Sequence, residues 1–230
     1  MESVFIQGVE IRAEVSENYI QINDVSEADL RKIWSEVCVR FAGFELNFCF
    51  RNVAIPEAAL AEIGAEVLED CLRMVLAPAD FVPAYNYYSD SDYCGVEPLE
   101  DKDFDTFARM HDALPDMYWT SARVRDKRDI WGIFVLYNMG IIIGYSMIMT
   151  QMRDETMAEI FAVETAEGYQ HVNPRSALVS AAVAHAFKLG KQQIIYMVDS
   201  DNPLEKEAAE AVGFTQAGFY IGYTVRKIGG

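Results

Sequence analysis

The chain of 230 residues carries 36 acidic and 19 basic side chains, a formal net charge of −17, and 51% of its residues are apolar. That apolar fraction supports a buried core in one large or two small domains and excludes a disordered chain. The acidic excess disfavours binding to nucleic acid or to an anionic membrane. It mildly favours a cationic or amine-bearing substrate, although solubility alone is the preferred explanation of the charge.

The cysteines have no C-x-x-C spacing, and the chain shows no spacing typical of a metal site. We therefore expect reduced core cysteines and no metal; the residues concerned are Cys38, Cys49, Cys71 and Cys94. The chain begins Met1-Glu2-Ser3-Val4, with an acid where a secretory signal has positive charge. A cytoplasmic protein is expected.

Residues 130–150 contain no charged side chain, over about the length that a membrane-spanning helix needs. Asn138-Met139-Gly140 interrupts the middle of this segment, and β-branched and aromatic residues flank it. This pattern is typical of two strands joined by a tight turn. We predict a hairpin and no membrane span.

The first 80 residues predict a small α/β domain. Three short strands come first, followed by a helix that Ser26 caps and that ends before Gly43. A strand over residues 44–50, a helix from Pro56 and a strand over residues 67–76 complete this part.

Residues 81–95 predict a connecting segment, because prolines and small polar residues interrupt any helical or strand-like spacing of apolar residues. Its tyrosines Tyr85, Tyr87 and Tyr88 suggest a packed rather than a loose connection. A second domain, residues 96–230, follows with the order strand, helix, helix, three strands, helix, strand, helix, strand. This order predicts a mixed sheet with helices on both faces.

Within the second domain, residues 157–190 predict a strand, a polar turn and an amphipathic helix. Asn173 is expected to cap the helix, and Pro174 suits its first position. A strand that leads into a helix N-terminus directs several backbone N–H groups towards one point. Such a point is a favourable site for an anion such as phosphate.

Several motifs occur together and in order over roughly residues 94–227. Residues 96–103 form a strand with an acidic helix start, and Ile141-Ile142-Ile143-Gly144-Tyr145 places a glycine after an apolar run. Tyr169-Gln170 through Ser176 follows the next strand, and Asn202 precedes a helix that ends at Gly213-Phe214. This part resembles the GNAT superfamily of acetyl-CoA-dependent N-acetyltransferases.

The resemblance implies an α/β fold with a mixed sheet, in which a GNAT-like acyltransferase domain follows a smaller α/β domain. The strand over residues 44–50, Asn52 and the helix ending at Gly64 echo the second half, so the first domain is either a truncated GNAT-like half or a separate α/β fold. The resemblance also implies acetyl-CoA as cosubstrate and an amine as acceptor.

The family's splayed strands and pyrophosphate loop map onto a defined set of residues. The residues implied in coenzyme binding are Phe161, Ala162, Val163, Gln170, His171, Val172, Asn173, Arg175, Ser176 and Asn202. Glu159 is the candidate base and is expected on the same strand face as Phe161 and Val163; its structural alternative is an exposed strand-edge carboxylate. Glu164 is a second candidate.

Three positions depart from the family's pattern. Asn173 and Arg175 stand where the loop has glycine or alanine. The tyrosine that the family often uses as a general acid would fall near Ala209, so that acid is missing here. Arg175 would either crowd the phosphate site or contact phosphate through its guanidinium.

The first hypothesis is an N-acetyltransferase that acts on a small-molecule or peptide amine by direct transfer. The alternative is a catalytically inactive GNAT-like ligand-binding or interaction protein. We expect neither nucleic acid nor membrane as a partner, and a homodimer is compatible with either hypothesis.

Overall fold

The computed structural model describes residues 1–84, 95–114 and 118–229. The chain divides into two compact units, one of Met1–Leu72 with Gly218–Gly230 and one of Arg73–Ala217. We call them unit 1 and unit 2. The C-terminal residues thus belong with the N-terminal ones, whereas the sequence assigned them to the second domain. The predicted burial of Tyr85, Tyr87 and Tyr88 lies outside the described residues, as does Cys94.

Unit 1 contains four complete strands, parts of two more and two helices. The elements are β1 (Glu2–Ile6), β2 (Val9–Glu14), β3 (Tyr19–Asn23), α1 (Glu27–Arg40), β4 (Glu45–Arg51), α2 (Glu57–Glu62), the first part of β5 (Glu66–Leu76) and the last part of β11 (Thr215–Val225). Strands β1, β2 and β3 are antiparallel neighbours, β3 pairs with β4 in parallel, and β11 pairs with β4 antiparallel.

The core of unit 1 lies between α1 and the sheet. Leu30, Ile33 and Val37 recur at helical spacing on α1 and are fully buried, as are Phe48 and Phe50 on β4. The predicted cap is confirmed, because the Asp29 backbone N–H donates to Ser26 Oγ at 3.2 Å. The first turn of α1 is therefore satisfied by its own side chain.

Unit 2 contains the remaining elements. They are β6 (Gly95–Pro98), α3 (Phe104–His111), α4 (Ser121–Asp126), β7 (Trp131–Asn138), β8 (Ile141–Met149), β9 (Met157–Thr165), α5 (Val172–Lys188), β10 (Gln193–Asp199) and α6 (Pro203–Ala211). Strands β6 to β9 are successive antiparallel neighbours, and β9 pairs with β10 in parallel. Because parallel neighbours need a crossover, α5 connects β9 to β10.

Helices cover both faces of the unit 2 sheet. On one face, α3 and α4 bury Phe107 and Val124 against Trp131 and Tyr145. On the other face lies α5, where Ser146 Oγ donates to the Leu178 carbonyl at 2.9 Å. Layers of this kind give the mixed α/β arrangement that the sequence predicted.

The apolar segment of residues 130–150 is the predicted hairpin. Strands β7 and β8 pair along their length, and the turn between them places Met139 and Gly140 at φ of 51° and 77°. Positive φ at both central residues matches the twist of the two strands. None of the helices in the described residues is long and apolar enough to cross a membrane.

The order of elements in unit 1 repeats the later part of unit 2. Three strands, a helix, a parallel strand, a helix and a further strand occur in each half, first as β1 to β5 with α1 and α2, then as β7 to β11 with α5 and α6. In both halves the third strand pairs in parallel with the fourth.

Candidate functional site

Strands β9 and β10 separate part-way along their length. Their parallel pairing runs from Met157 with Gln193 to Ile160 with Tyr196. Strand β9 continues to Thr165 and β10 to Asp199, but without further pairs between them. Backbone groups of β9 beyond Ile160 are therefore left without partners from β10. We call this gap the strand opening.

The corresponding strands of unit 1 do not separate. Strands β3 and β4 pair from Tyr19 with Glu45 to Asn23 with Cys49, the last residue of β3. The backbone N–H of Asp24 then donates to the Cys49 carbonyl at 2.8 Å, which extends the pairing further. Of the two matched strand pairs, only that of unit 2 has an opening.

Helix α5 begins directly after β9 and its turn. Its N-cap residue is His171, which makes no side-chain capping hydrogen bond. The prediction that Asn173 caps the helix and Pro174 opens it was wrong by two residues. Proline is tolerated throughout the first turn, where N–H groups have no helical partner, so it does not mark the first position alone. Unlike α1, helix α5 presents an uncapped N-terminus, the partially positive end of its dipole.

Arg175 points into the protein. The residue is 7% exposed, and its Nη1 donates to the Val163 carbonyl at 2.7 Å. Val163 lies in the part of β9 that β10 does not pair. The guanidinium therefore donates to a backbone carbonyl in the strand opening and does not face solvent.

A carboxylate and a phenol accompany Arg175. Tyr196, at the last paired position of β10, donates its hydroxyl to Glu205 Oε1 at 2.6 Å. Burial raises the pKa of Glu205, while the Tyr196 hydrogen bond and the Arg175 charge oppose that rise. The Arg175 charge thus partly compensates the half-buried Glu205 carboxylate, to which Tyr196 is hydrogen-bonded; among the described residues, no ion pair joins Arg175 to Glu205.

Two buried polar atoms at this end of β9 are unsatisfied. Arg175 Nε and Thr165 Oγ1 have no hydrogen-bond partner within the described part of the chain. Buried donors without partners are uncommon and carry a free-energy cost. A ligand with acceptor atoms would satisfy both.

A β-bulge re-aims the carboxylates of β9. Ile160 faces Ile148 of β8 and Ala162 faces Met147, so Phe161 is an extra residue in β9. Beyond this bulge the alternation of side chains reverses. Glu159 and Glu164 therefore share the face of the sheet that α3 covers, whereas Val163 faces α5. The prediction that Glu159 and Val163 share a face was wrong because the sequence gives no sign of the extra residue.

A cleft of about 470 Å³ lies on the α3 face, at the end of β9. It is lined by Thr106, Arg109, Met110 and Leu114 from α3 and the residues after it, by Ile142 of β8, and by Glu164, Thr165 and Ala166. Gly144 of β8 allows the close approach of β8 to β9 at this end, because a Cβ there would lie 2.7 Å from the Glu164 carbonyl oxygen. The volume is typical of a small-molecule site.

The two candidate bases differ in their surroundings. Burial raises the pKa of Glu164, with Arg175 opposing the rise. Burial also raises the pKa of Glu159, and there the opposing charge is Arg73. Glu164 lines the cleft, whereas Glu159 is not among its lining residues. A buried carboxylate with a raised pKa in a cleft is a candidate general base.

The other predicted site residues have varied surroundings. Gln170, His171 and Asn173 are exposed at the start of α5, next to Val172. Ser176 is buried and donates its hydroxyl to the Val172 carbonyl. Asn202 caps α6, since the Glu205 backbone N–H donates to its Oδ1 at 3.2 Å. Phe161 and Ala162 lie at the bulge, where the Phe161 ring contacts Trp131.

Sequence reasoning missed Glu205 and the side chains of α3. Glu205 follows Asn202 at capping spacing, so its position is explained locally and its burial is not apparent. Arg109 lies four residues after Asp105, a spacing typical of an exposed helical pair. Among the described residues, no group of three or more metal-ligating side chains occurs.

No protein-family model matches the sequence, and no curated protein is similar to it. Solved structures do match. A GCN5-related N-acetyltransferase from Kribbella flavida has a TM-score of 0.65 at 12% identity, and the match covers 100% of this chain and 90% of that one. A tandem GNAT protein from the clavulanic acid biosynthesis pathway has a TM-score of 0.63 at 10% identity, over 98% and 82% of the two chains. The chain has a GNAT fold.

The GNAT fold confirms the resemblance and the predicted fold class. A conserved protein of unknown function from Staphylococcus epidermidis matches as well, with a TM-score of 0.66 at 14% identity over 99% of this chain and 94% of that one. The strand opening and the start of α5 are the places where the resemblance put the coenzyme site. Ala209, near which the family's general-acid tyrosine would fall, is fully buried.

Proposed function

We propose that the chain is an acetyl-CoA-dependent N-acetyltransferase that acts on a small-molecule or peptide amine by direct transfer. One observation carries the proposal. The strand opening lies beside the uncapped N-terminus of α5, and the matched strands of unit 1 have no opening.

The residues at the opening fit the coenzyme in three respects. The N–H groups at the start of α5, one fewer because of Pro174, suit a pyrophosphate, because the N-cap residue His171 makes no side-chain hydrogen bond to them and the helix dipole favours an anion. The unpaired part of β9 offers backbone groups to an extended amide-containing arm. Arg175 Nε and Thr165 Oγ1 are donors in need of acceptors. The fit requires that Arg175 Nη1 release the Val163 carbonyl.

Bound acetyl-CoA would supply an acetyl thioester, and the chain's own residues would supply proton transfer and orientation. Glu164 accepts the proton of the acceptor amine in the cleft. Burial favours this role, since it brings the pKa of the carboxyl closer to working pH. The bulge at Phe161 leaves backbone groups outside the ladder with β8. Ala209 provides no acid, and the Tyr196 hydroxyl is already donated to Glu205.

A second function, ligand binding without turnover, is favoured by Arg175. Its guanidinium lies in the strand opening and is held there by the Val163 carbonyl and by the charge of Glu205. If this contact does not break, the fold retains the cleft beside α3 but not the transfer reaction. The two functions share the cleft and differ in whether the opening admits the coenzyme.

Thermal unfolding of the full chain with coenzyme A tests the first step. At a hundred times its dissociation constant, a bound ligand is expected to raise the unfolding free energy by about 2.7 kcal/mol. We expect a rise in the melting temperature with coenzyme A and with acetyl-CoA. No rise at millimolar concentration of either would contradict acetyl-CoA use. Thiol release over a panel of amines then separates an enzyme, which releases coenzyme A, from a binder, which does not.

A further inference from the structure

The cleft beside α3 carries two charged side chains of opposite sign. They are Arg109 and Glu164, and the apolar lining of the cleft comes from Met110, Leu114, Ile142 and Ala166. A site with one cation, one anion and an apolar wall is complementary to a zwitterion that has an apolar side chain.

Arg109 has neutral partners only. Its Nε donates to the Asp105 carbonyl at 3.3 Å and its Nη2 to Thr106 Oγ1 at 3.1 Å. Among the described residues, no carboxylate lies within ion-pair distance of Arg109. Arg109 is an exposed residue that lines the cleft, and the planar fork of its guanidinium suits a carboxylate.

Glu164 supplies the opposite charge in the same cleft. It belongs to β9, whereas Arg109 belongs to α3, so the two charges are held by separate elements of unit 2. The bulge at Phe161 is what turns Glu164 towards this face. An ammonium group in the cleft would meet Glu164 as its partner.

We propose that the acceptor is an α-amino acid with an apolar side chain, whose carboxylate binds Arg109 and whose amine meets Glu164. The inference rests on the proposed function only for the step after binding, in which that amine is acetylated. Recognition of the free amino acid is a property of the cleft and does not need the coenzyme.

Binding to the full chain without coenzyme tests the inference directly. The probes are L-leucine, L-leucinamide, which lacks the carboxylate, and 4-methylpentanoate, which lacks the amine. We expect calorimetry to show L-leucine binding at least tenfold more tightly than either analogue. Equal or tighter binding of L-leucinamide, or no binding of L-leucine, would overturn the proposal.

Two variants assign the carboxylate contact. Arg109→Gln is expected to remove the preference for L-leucine over L-leucinamide. Arg153→Gln removes an equal charge from an exposed loop beyond the opposite end of β8 and is expected to keep that preference. If Arg109→Gln keeps it too, the carboxylate does not bind Arg109 and the inference is wrong.

The proposed function can fail separately. Absence of any stabilisation by coenzyme A, with L-leucine still preferred over its amide, would leave an amino-acid binding protein. Thiol release with isopentylamine as fast as with L-leucine would instead support the transferase and overturn the acceptor class.

Discussion

Glu164→Gln is expected to lower the rate of acetyl transfer by about a hundredfold to ten-thousandfold, the range that removal of a general base produces. Glutamine has the shape of the carboxyl group but cannot accept the proton of the acceptor amine. The stabilisation by coenzyme A should remain, because Glu164 lies in the cleft and not at the start of α5. Steady-state thiol release and thermal unfolding with coenzyme A measure the two effects.

The pH profile identifies the base. Burial raises the pKa of Glu164, so kcat/KM of the wild type should rise with pH through that raised value and then level off. Glu164→Gln should lose this acidic limb, and Glu159→Gln should keep it. If Glu159→Gln loses the limb instead, the base is Glu159.

Unfolding cannot account for the expected loss of rate. A carboxyl group whose pKa is raised on folding stabilises the protein fully below its unfolded pKa, and this contribution is lost as pH rises through the folded value. At pH 8 the Glu164 carboxylate therefore opposes folding, and Glu164→Gln should melt no lower than the wild type. A melting temperature well below that of the wild type at pH 8 would contradict this account of Glu164.

The sequence predicted what local patterns determine. The apolar spacing of α1, the capping residue Ser26 and the turn at Asn138-Met139-Gly140 act within a few residues, and each is found as expected. The order of elements was sufficient for the GNAT resemblance, which the solved structures confirm in the fold.

Features that depend on distant partners were not predictable in the same way. The bulge at Phe161 is set by the pairing of β9 with β8 and changes which side chains share a face. The inward direction of Arg175 depends on the Val163 carbonyl and on Glu205, which is 30 positions further along the chain by residue number. The spacing of apolar residues along the sequence indicates neither the bulge nor the contacts of Arg175. The sequence therefore left two roles open for Arg175, crowding of the phosphate site and binding of phosphate.

The change in coenzyme A affinity in Arg175→Ala distinguishes those two roles, because crowding predicts tighter binding and phosphate contact predicts weaker binding. We expect coenzyme A to bind about tenfold more tightly, a gain of about 1.4 kcal/mol, because the variant vacates the strand opening and frees the Val163 carbonyl. Alanine is preferred to glycine, which would cost the helix about 1 kcal/mol by itself. Calorimetry on the full chain measures the affinity, with Arg153→Ala as the control for loss of one exposed positive charge.

Weaker binding of coenzyme A in Arg175→Ala would mean that the guanidinium binds the pyrophosphate in the wild type, and unchanged binding would place the coenzyme elsewhere.

The stability of Arg175→Ala must be controlled, because the variant leaves Glu205 without the nearby positive charge. Loss of the arginine should raise the pKa of Glu205 further, so the melting deficit should be larger at pH 8 than at pH 5. Arg175→Ala combined with Glu205→Gln removes the uncompensated charge while Gln still accepts from Tyr196. If tighter binding persists in this double variant as its stability recovers, the gain in affinity comes from the vacated opening and not from a loosened fold.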